Sequence, residues 1–227
     1  MDPQNNIRNF TLLLAIVAGF CDTITFVTSQ EFSAHVTGNF IVFAYDIIKG
    51  ADTSSWIKLI SFPVFVIAVI TGGWVISKTS NKCSILLLEG IILATTGFIM
   101  LILKLKHFDS VWLEYGIVMP VIFAMGLQNA FGKLFGKETY GPTTIMTGNV
   151  TQAALDLWEI LKTKFSNDML LKSFKNQSYT IVGFLIGCLL GAIAGEITGL
   201  SAILLPGIAL MIYLKKMNVY SSAQIAN

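Results

Sequence analysis

The chain has 227 residues, 54% of them hydrophobic and only 12% charged, with a mean hydropathy of +0.72 and a formal net charge of +2. That is too little polar material to cover a water-soluble globule of this size, so composition argues against a soluble domain and predicts an integral membrane protein. No basic patch interleaves with aromatics, which argues against nucleic acid as a partner.

The first apolar run, residues 10–26, is preceded by a single basic residue, Arg8, and no small-x-small cleavage site follows it, so it is expected to stay as a span rather than be removed as a signal peptide. Cys21 lies near its end, but Phe20 is too large for the position before a lipid-bearing cysteine. Residues 40–48 form a second, shorter helix. The ten steps from Asn39 to Lys49 at ~1.5 Å each reach only about half of a ~30 Å hydrocarbon layer. Residues 56–77 and 84–103 are long enough to cross, the first carrying Pro63 and Gly72-Gly73 and the second a single acid, Glu89, well inside it. Residues 111–131 follow as another span. Residues 150–161 are again helical in pattern, yet amphiphilic, with Gln152, Asp156 and Glu159. The last two spans are residues 179–198 and 200–214. The former carries Gly183, Gly187, Gly191 and Gly195 four residues apart, a smooth stripe against which the repeat partner or a second protomer is expected to pack.

Thr-Gly-Asn occurs at residues 37–39 and again at 147–149, where composition gives on the order of 0.07 chance occurrences. Each copy is followed by an aspartate seven residues after the asparagine, Asp46 and Asp156. Upstream, Gly19-Phe20-Cys21-Asp22 is matched by Gly126-Leu127-Gln128-Asn129. The chain therefore reads as one membrane domain, residues 1–227, built from two internal repeats at about residues 7–106 and 111–216.

Six full spans with two half-helices that return to their own side place eleven Lys and Arg inside and four outside when the N-terminus is inside. The positive-inside rule then predicts cytoplasmic N- and C-termini in the cell membrane. Eight full spans give the same count, so charge does not choose between them. Helix length and polarity favour six, and a repeat with three crossings starts its second copy on the opposite face, which makes the repeats inverted, as in many secondary transporters. The fold expected is thus an all-α polytopic bundle of six spans and two half-helices.

Non-helical backbone at membrane depth persists only where protein, water or a ligand satisfies it. Thr37, Gly38 and Asn39, with Thr147, Gly148 and Asn149, are therefore the candidate solute-binding residues, the glycines for close approach or positive φ and the asparagines as helix caps. The same residues also suit a purely structural buried cap. Asn129 joins the set as the counterpart of Asp22. Asp22, Asp46, Asp156 and Glu89 are the candidates for ion or proton coupling, because an acid in a membrane segment costs on the order of 2.5 to 3.5 kcal/mol and persists for a reason. His35 is a minor candidate. Cys21, Cys83 and Cys188 lack ligand spacing, so neither a metal nor a cofactor is expected. No phosphate-binding loop, His-Glu-x-x-His or Gly-x-Ser-x-Gly occurs, and the reading is of a non-enzyme.

Gly19 and Asp22, Phe32, Thr37-Gly38-Asn39, Gly126 to Ala130 and Thr147-Gly148-Asn149 together resemble the YoaK-like family of bacterial multi-pass membrane proteins, over nearly the whole chain. The resemblance implies membrane location and several spans, and implies no substrate. The function expected from the residues is transport or channelling of a small polar or anionic solute. The alternative is a membrane scaffold or assembly protein, homo-oligomeric through the glycine stripe.

Overall fold

The computed structural model describes residues 3–50, 53–79, 81–107 and 111–225. Among these, eight α-helices follow one another: α1 (Pro3–Ser29), α2 (Gly38–Ile48), α3 (Ile57–Lys78), α4 (Ser84–Leu105), α5 (Val111–Leu134), α6 (Met146–Lys162), α7 (Asp168–Thr198) and α8 (Leu204–Ile225). Two 3-10 turns, Thr53–Trp56 and Gly199–Ile203, precede α3 and α8, and no strand occurs among the described residues. Among the described residues five helical segments are long and apolar enough to cross a membrane, the last, Asp168–Met217, containing α7 and the first part of α8. This is the construction of an integral membrane protein.

The ends follow local chemistry. α2 stops where Gly50 takes φ +73°, and α7 stops at Gly199 with φ +65°, both in the left-handed region that glycine enters without steric cost. α7 begins about three turns earlier than its apolar run because the Asn167 side chain accepts hydrogen bonds from the amides of Met169 and Leu170. Its first turns, rich in lysine, thereby continue a helix whose apolar part lies deeper.

Helix directions can be read from contacts. The glycine stripe of α7 faces α1 in rising register: Gly183 meets Leu12 and Ala15, Gly187 meets Ile16, Gly191 meets Phe20 and Gly195 meets Ile24. α1 and α7 therefore run parallel. α3 and α5 are likewise parallel, with Gly126 against Phe65 and Ala68, and Gly72 against Leu127 and Ala130. α1 and α5 are antiparallel, since Phe10 packs on Phe131 while the Gln128 amide donates to the Leu14 carbonyl. α4 and α8 are antiparallel too, Gly90 meeting Met211 and Gly97 meeting Leu204. A core of Val17, Ala18, Cys21, Val121, Ile122 and Met125 lies between α1 and α5.

The stripe, expected to pack against the repeat partner or a second protomer, faces α1 of the same chain. A methyl group added at Gly187 would lie 2.2 Å from the Ile16 carbonyl oxygen, whereas one added at Gly148 meets nothing within 4 Å. Gly187→Ala is therefore expected to cost about 1–3 kcal/mol by forcing α1 and α7 apart. Gly148→Ala should change stability little, and thermal melts of the two variants in one detergent check the contrast.

Candidate functional site

Each Thr-Gly-Asn copy follows a loop that folds back on the preceding long helix. In the first, the Asn39 amide donates to the Phe32 carbonyl (2.9 Å) and to Ser61 Oγ on α3 (2.9 Å), and its carbonyl accepts the Phe32 N–H (2.8 Å). In the second, the Asn149 amide donates to the Pro142 carbonyl at 2.7 Å. Both asparagines are buried and both grip the backbone seven residues upstream. This corrects the expectation that they cap the first helical turn. Asn39 lies within the first turn of α2 and Asn149 within that of α6, neither helix has a side-chain cap, and the amides turn back over the loop, whose peptide groups lack helical partners.

The glycines do not take positive φ. Gly38 instead admits the Phe32 ring, which a Cβ would approach to 2.9 Å, while Gly148 faces open space. Thr37 and Thr147 are exposed. The tripeptides do not meet in one pocket, for α2 packs on α3 and α6 packs on α7.

Asp22 and Asn129 hold corresponding points of the two loops. Asp22 Oδ1 accepts the amides of Ala34 (2.7 Å) and His35 (3.2 Å), and its Oδ2 lies 2.6 Å from His35 Nδ1. Asn129 donates to Thr144 Oγ1 at 3.1 Å. Beside it Gln128 donates to Leu14 O and to Thr143 Oγ1, so α5 ties its own loop to α1. The Asp22 hydrogen bond raises the pKa of His35 above its ordinary value against the opposing effect of burial.

A second ionic group forms where α2 meets α3. Asp46 pairs with Lys58, which is only 5% exposed although it lies near the end of a span. Glu31 is fully buried, has no hydrogen-bond partner for either carboxylate oxygen among the described residues, and is within electrostatic reach of Lys58. Burial pushes its pKa up to about 7, with Lys58 pulling the other way. In the other half Asp156 is buried and accepts from Gln152 of its own helix at 2.8 Å, leaving Oδ2 without a partner among the described residues. Asn39 with Asp46, and Asn149 with Asp156, do share a helix face, as their seven-residue spacing predicts. Glu89 stands in the interior of α4, fully buried and unpaired among the described residues.

Sequence reasoning missed Glu31, Lys58 and Gln128. Glu31 and Lys58 lie beside segment ends, where charges usually meet water, and only the fold-back of the loop buries them. Gln128 had a signal, its place beside Asn129 in the repeated Gly-x-x-[Asp/Asn] element. Chemically, the site offers a carboxylate with an imidazole, a carboxylate with an ammonium and two unpaired buried carboxyls, a set able to exchange protons. No group of three or more His, Cys, Asp and Glu able to hold a metal ion occurs among the described residues.

Among curated proteins and solved structures nothing matches the chain. A family match, by contrast, runs over residues 10–214, taking in both loops, both tripeptides and every helix from α1 to the apolar part of α8. The chain therefore belongs to the family described as "Protein of unknown function (DUF1275)", the YoaK-like membrane proteins whose motifs it carries.

Proposed function

We propose that this protein is a secondary transporter or channel for a small polar or anionic solute, built from inverted repeats with six crossings and two re-entrant half-helices. One observation carries the reading. On two antiparallel helices, α1 and α5, the same device recurs: Asp22 or Asn129 holds the loop at Ala34 or Thr144, and Asn39 or Asn149 holds it at Phe32 or Pro142. All these loop positions differ by 110. Eight full crossings would run α1 parallel to α5 and α4 parallel to α8, the opposite of the packing found, whereas six crossings with two returning half-helices give the observed directions. Broken helices entering from opposite faces are a transporter design. Asp22, Asp46, Asp156 and Glu89, joined by Glu31, are the groups for ion or proton coupling. The lysine and arginine distribution supports cytoplasmic termini in the cell membrane.

A second reading has its own support. The side chains of Asn39 and Asn149 are engaged with the chain's own backbone and Thr37 and Thr147 lie outside any shared pocket, which fits a scaffold whose tripeptides serve packing. Uptake of small anions, organic acids and amino acids into proteoliposomes under an imposed pH gradient separates the two. Transport predicts accumulation of at least one solute that collapses when the gradient is removed and is reduced in a still-folded Glu89→Gln variant. No accumulation of any solute, with the protein correctly inserted, favours the scaffold.

A further inference from the structure

A polar cavity of about 390 Å³ opens between the first turns of α1 and α7. Arg8, Lys172 and Lys175 line it, together with Asn176 and the phenols of Tyr140 and Tyr179, and among the described residues no carboxylate does. Among the described residues none of the three cations forms an ion pair, not even Lys172 with Asp168 one turn before it. The Arg8 guanidinium and the Lys175 ammonium lie 5.7 and 5.9 Å from the centroid of the same Tyr179 ring. Two like charges are thus gathered on one aromatic side chain, and a third stands one turn away. Their mutual repulsion is relieved by water and salt, and far better by a multivalent anion that accepts from several of them at once. The cavity lies in the size range of small-molecule sites.

We infer that this cavity is a binding site for a phosphate-type multivalent anion, held by Arg8, Lys172 and Lys175 with Asn176 and Tyr179 as neutral donors. Arginine supplies the bidentate fork and the lysines point charges. The site does not depend on transport, because it needs only the packing of α1 on α7. Its occupant is either a free phosphate-bearing solute or the headgroup of an anionic lipid, two sources of one chemistry at a membrane end.

The test uses full-length protein, stripped of lipid in a non-ionic detergent, and reads binding rather than uptake. Pyrophosphate is titrated by calorimetry at constant ionic strength, and in a second arm the protein is moved into nanodiscs of phosphatidylcholine with or without phosphatidylglycerol and its melting followed. Lys172→Gln/Lys175→Gln is the site variant, both side chains being exposed on a helix surface. Lys215→Gln/Lys216→Gln removes the same charge elsewhere. Binding of pyrophosphate, or stabilisation by phosphatidylglycerol, that weakens about tenfold or more in the site variant and stays unchanged in the control supports the site, and the responding arm names the source. Equal weakening in both variants, or no response in either arm, overturns it.

Discussion

Asn39→Ala is expected to destabilise the protein by on the order of 4 kcal/mol, and Asn149→Ala by clearly less. The asymmetry comes from what each amide holds. Removing the Asn39 side chain leaves both the N–H and the C=O of Phe32 without their partner in a partly buried setting and also frees the buried Ser61 Oγ from α2. An orphaned buried polar group costs about 1–3 kcal/mol each. Asn149 makes one strong backbone bond, to Pro142, and proline has no N–H to orphan. Melting in detergent checks the order, and Asn39→Asp sharpens it. The aspartate keeps the acceptor for Phe32 N–H but loses the donors to Phe32 O and Ser61, so it should recover only part of the loss. Equal effects of the two alanine variants would show that the loops are held mainly by other contacts.

Glu31→Gln is expected to leave stability near pH 4 almost unchanged and to raise it at pH 8 by on the order of 3 kcal/mol. Glu31 is buried with both oxygens unpaired, and its pKa in the folded protein is raised from 4.5 to about 7. The folded state therefore holds the proton more tightly than the unfolded state does. The stability it gains from the protonated acid is fully present below pH 4.5 and is lost as pH rises through 7. Glutamine mimics the neutral acid at every pH, so it removes that loss. His35, raised by its bond to Asp22, acts in the same direction, with stability lost as pH rises through its folded pKa. The parent should thus melt earlier at pH 8 than at pH 5.5, and the variant should flatten the profile. A Glu31→Gln variant that is less stable than the parent at pH 8 would mean that the ionised carboxylate is needed by Lys58.

How much of this was legible beforehand differs by feature. Apolar runs marked every helix but the amphiphilic α6, because lipid demands continuous hydrophobic length, and the short helix at residues 40–48 appeared at nearly its true bounds. The polar start of α7 was not legible from hydropathy, since it lies beyond the apolar run and is set by the Asn167 cap. The glycine stripe announced close packing but not its partner, for a smooth helix face fits any other, and it is α1 that fills it. The tripeptides marked the two loops that fold back on α1 and α5. Their roles were misplaced because Asn at a helix start ordinarily caps it, while here the loop's own peptides compete for the amide. Lys58 stands near a segment end, where a charge ordinarily meets water, yet it is buried on Asp46. Spacing could not have revealed this, because the pair is made only when α2 folds back along α3. Charge counting left six and eight crossings equal, and the helix directions supply the argument for the six crossings proposed above.

The proposed topology is tested most directly by cysteine accessibility, in a background with Cys21, Cys83 and Cys188 replaced and single cysteines placed at Gly50, Asn81, His107, Lys137 and Ser166. Labelling intact cells and inverted vesicles with a membrane-impermeant maleimide assigns each position to a side. Six crossings with two re-entrant half-helices predict that Gly50 and His107 label from one face and that Asn81, Lys137 and Ser166 all label from the other. If Ser166 labels with Gly50 and His107, opposite to Asn81 and Lys137, the short helices cross the membrane and the inverted-repeat account is wrong.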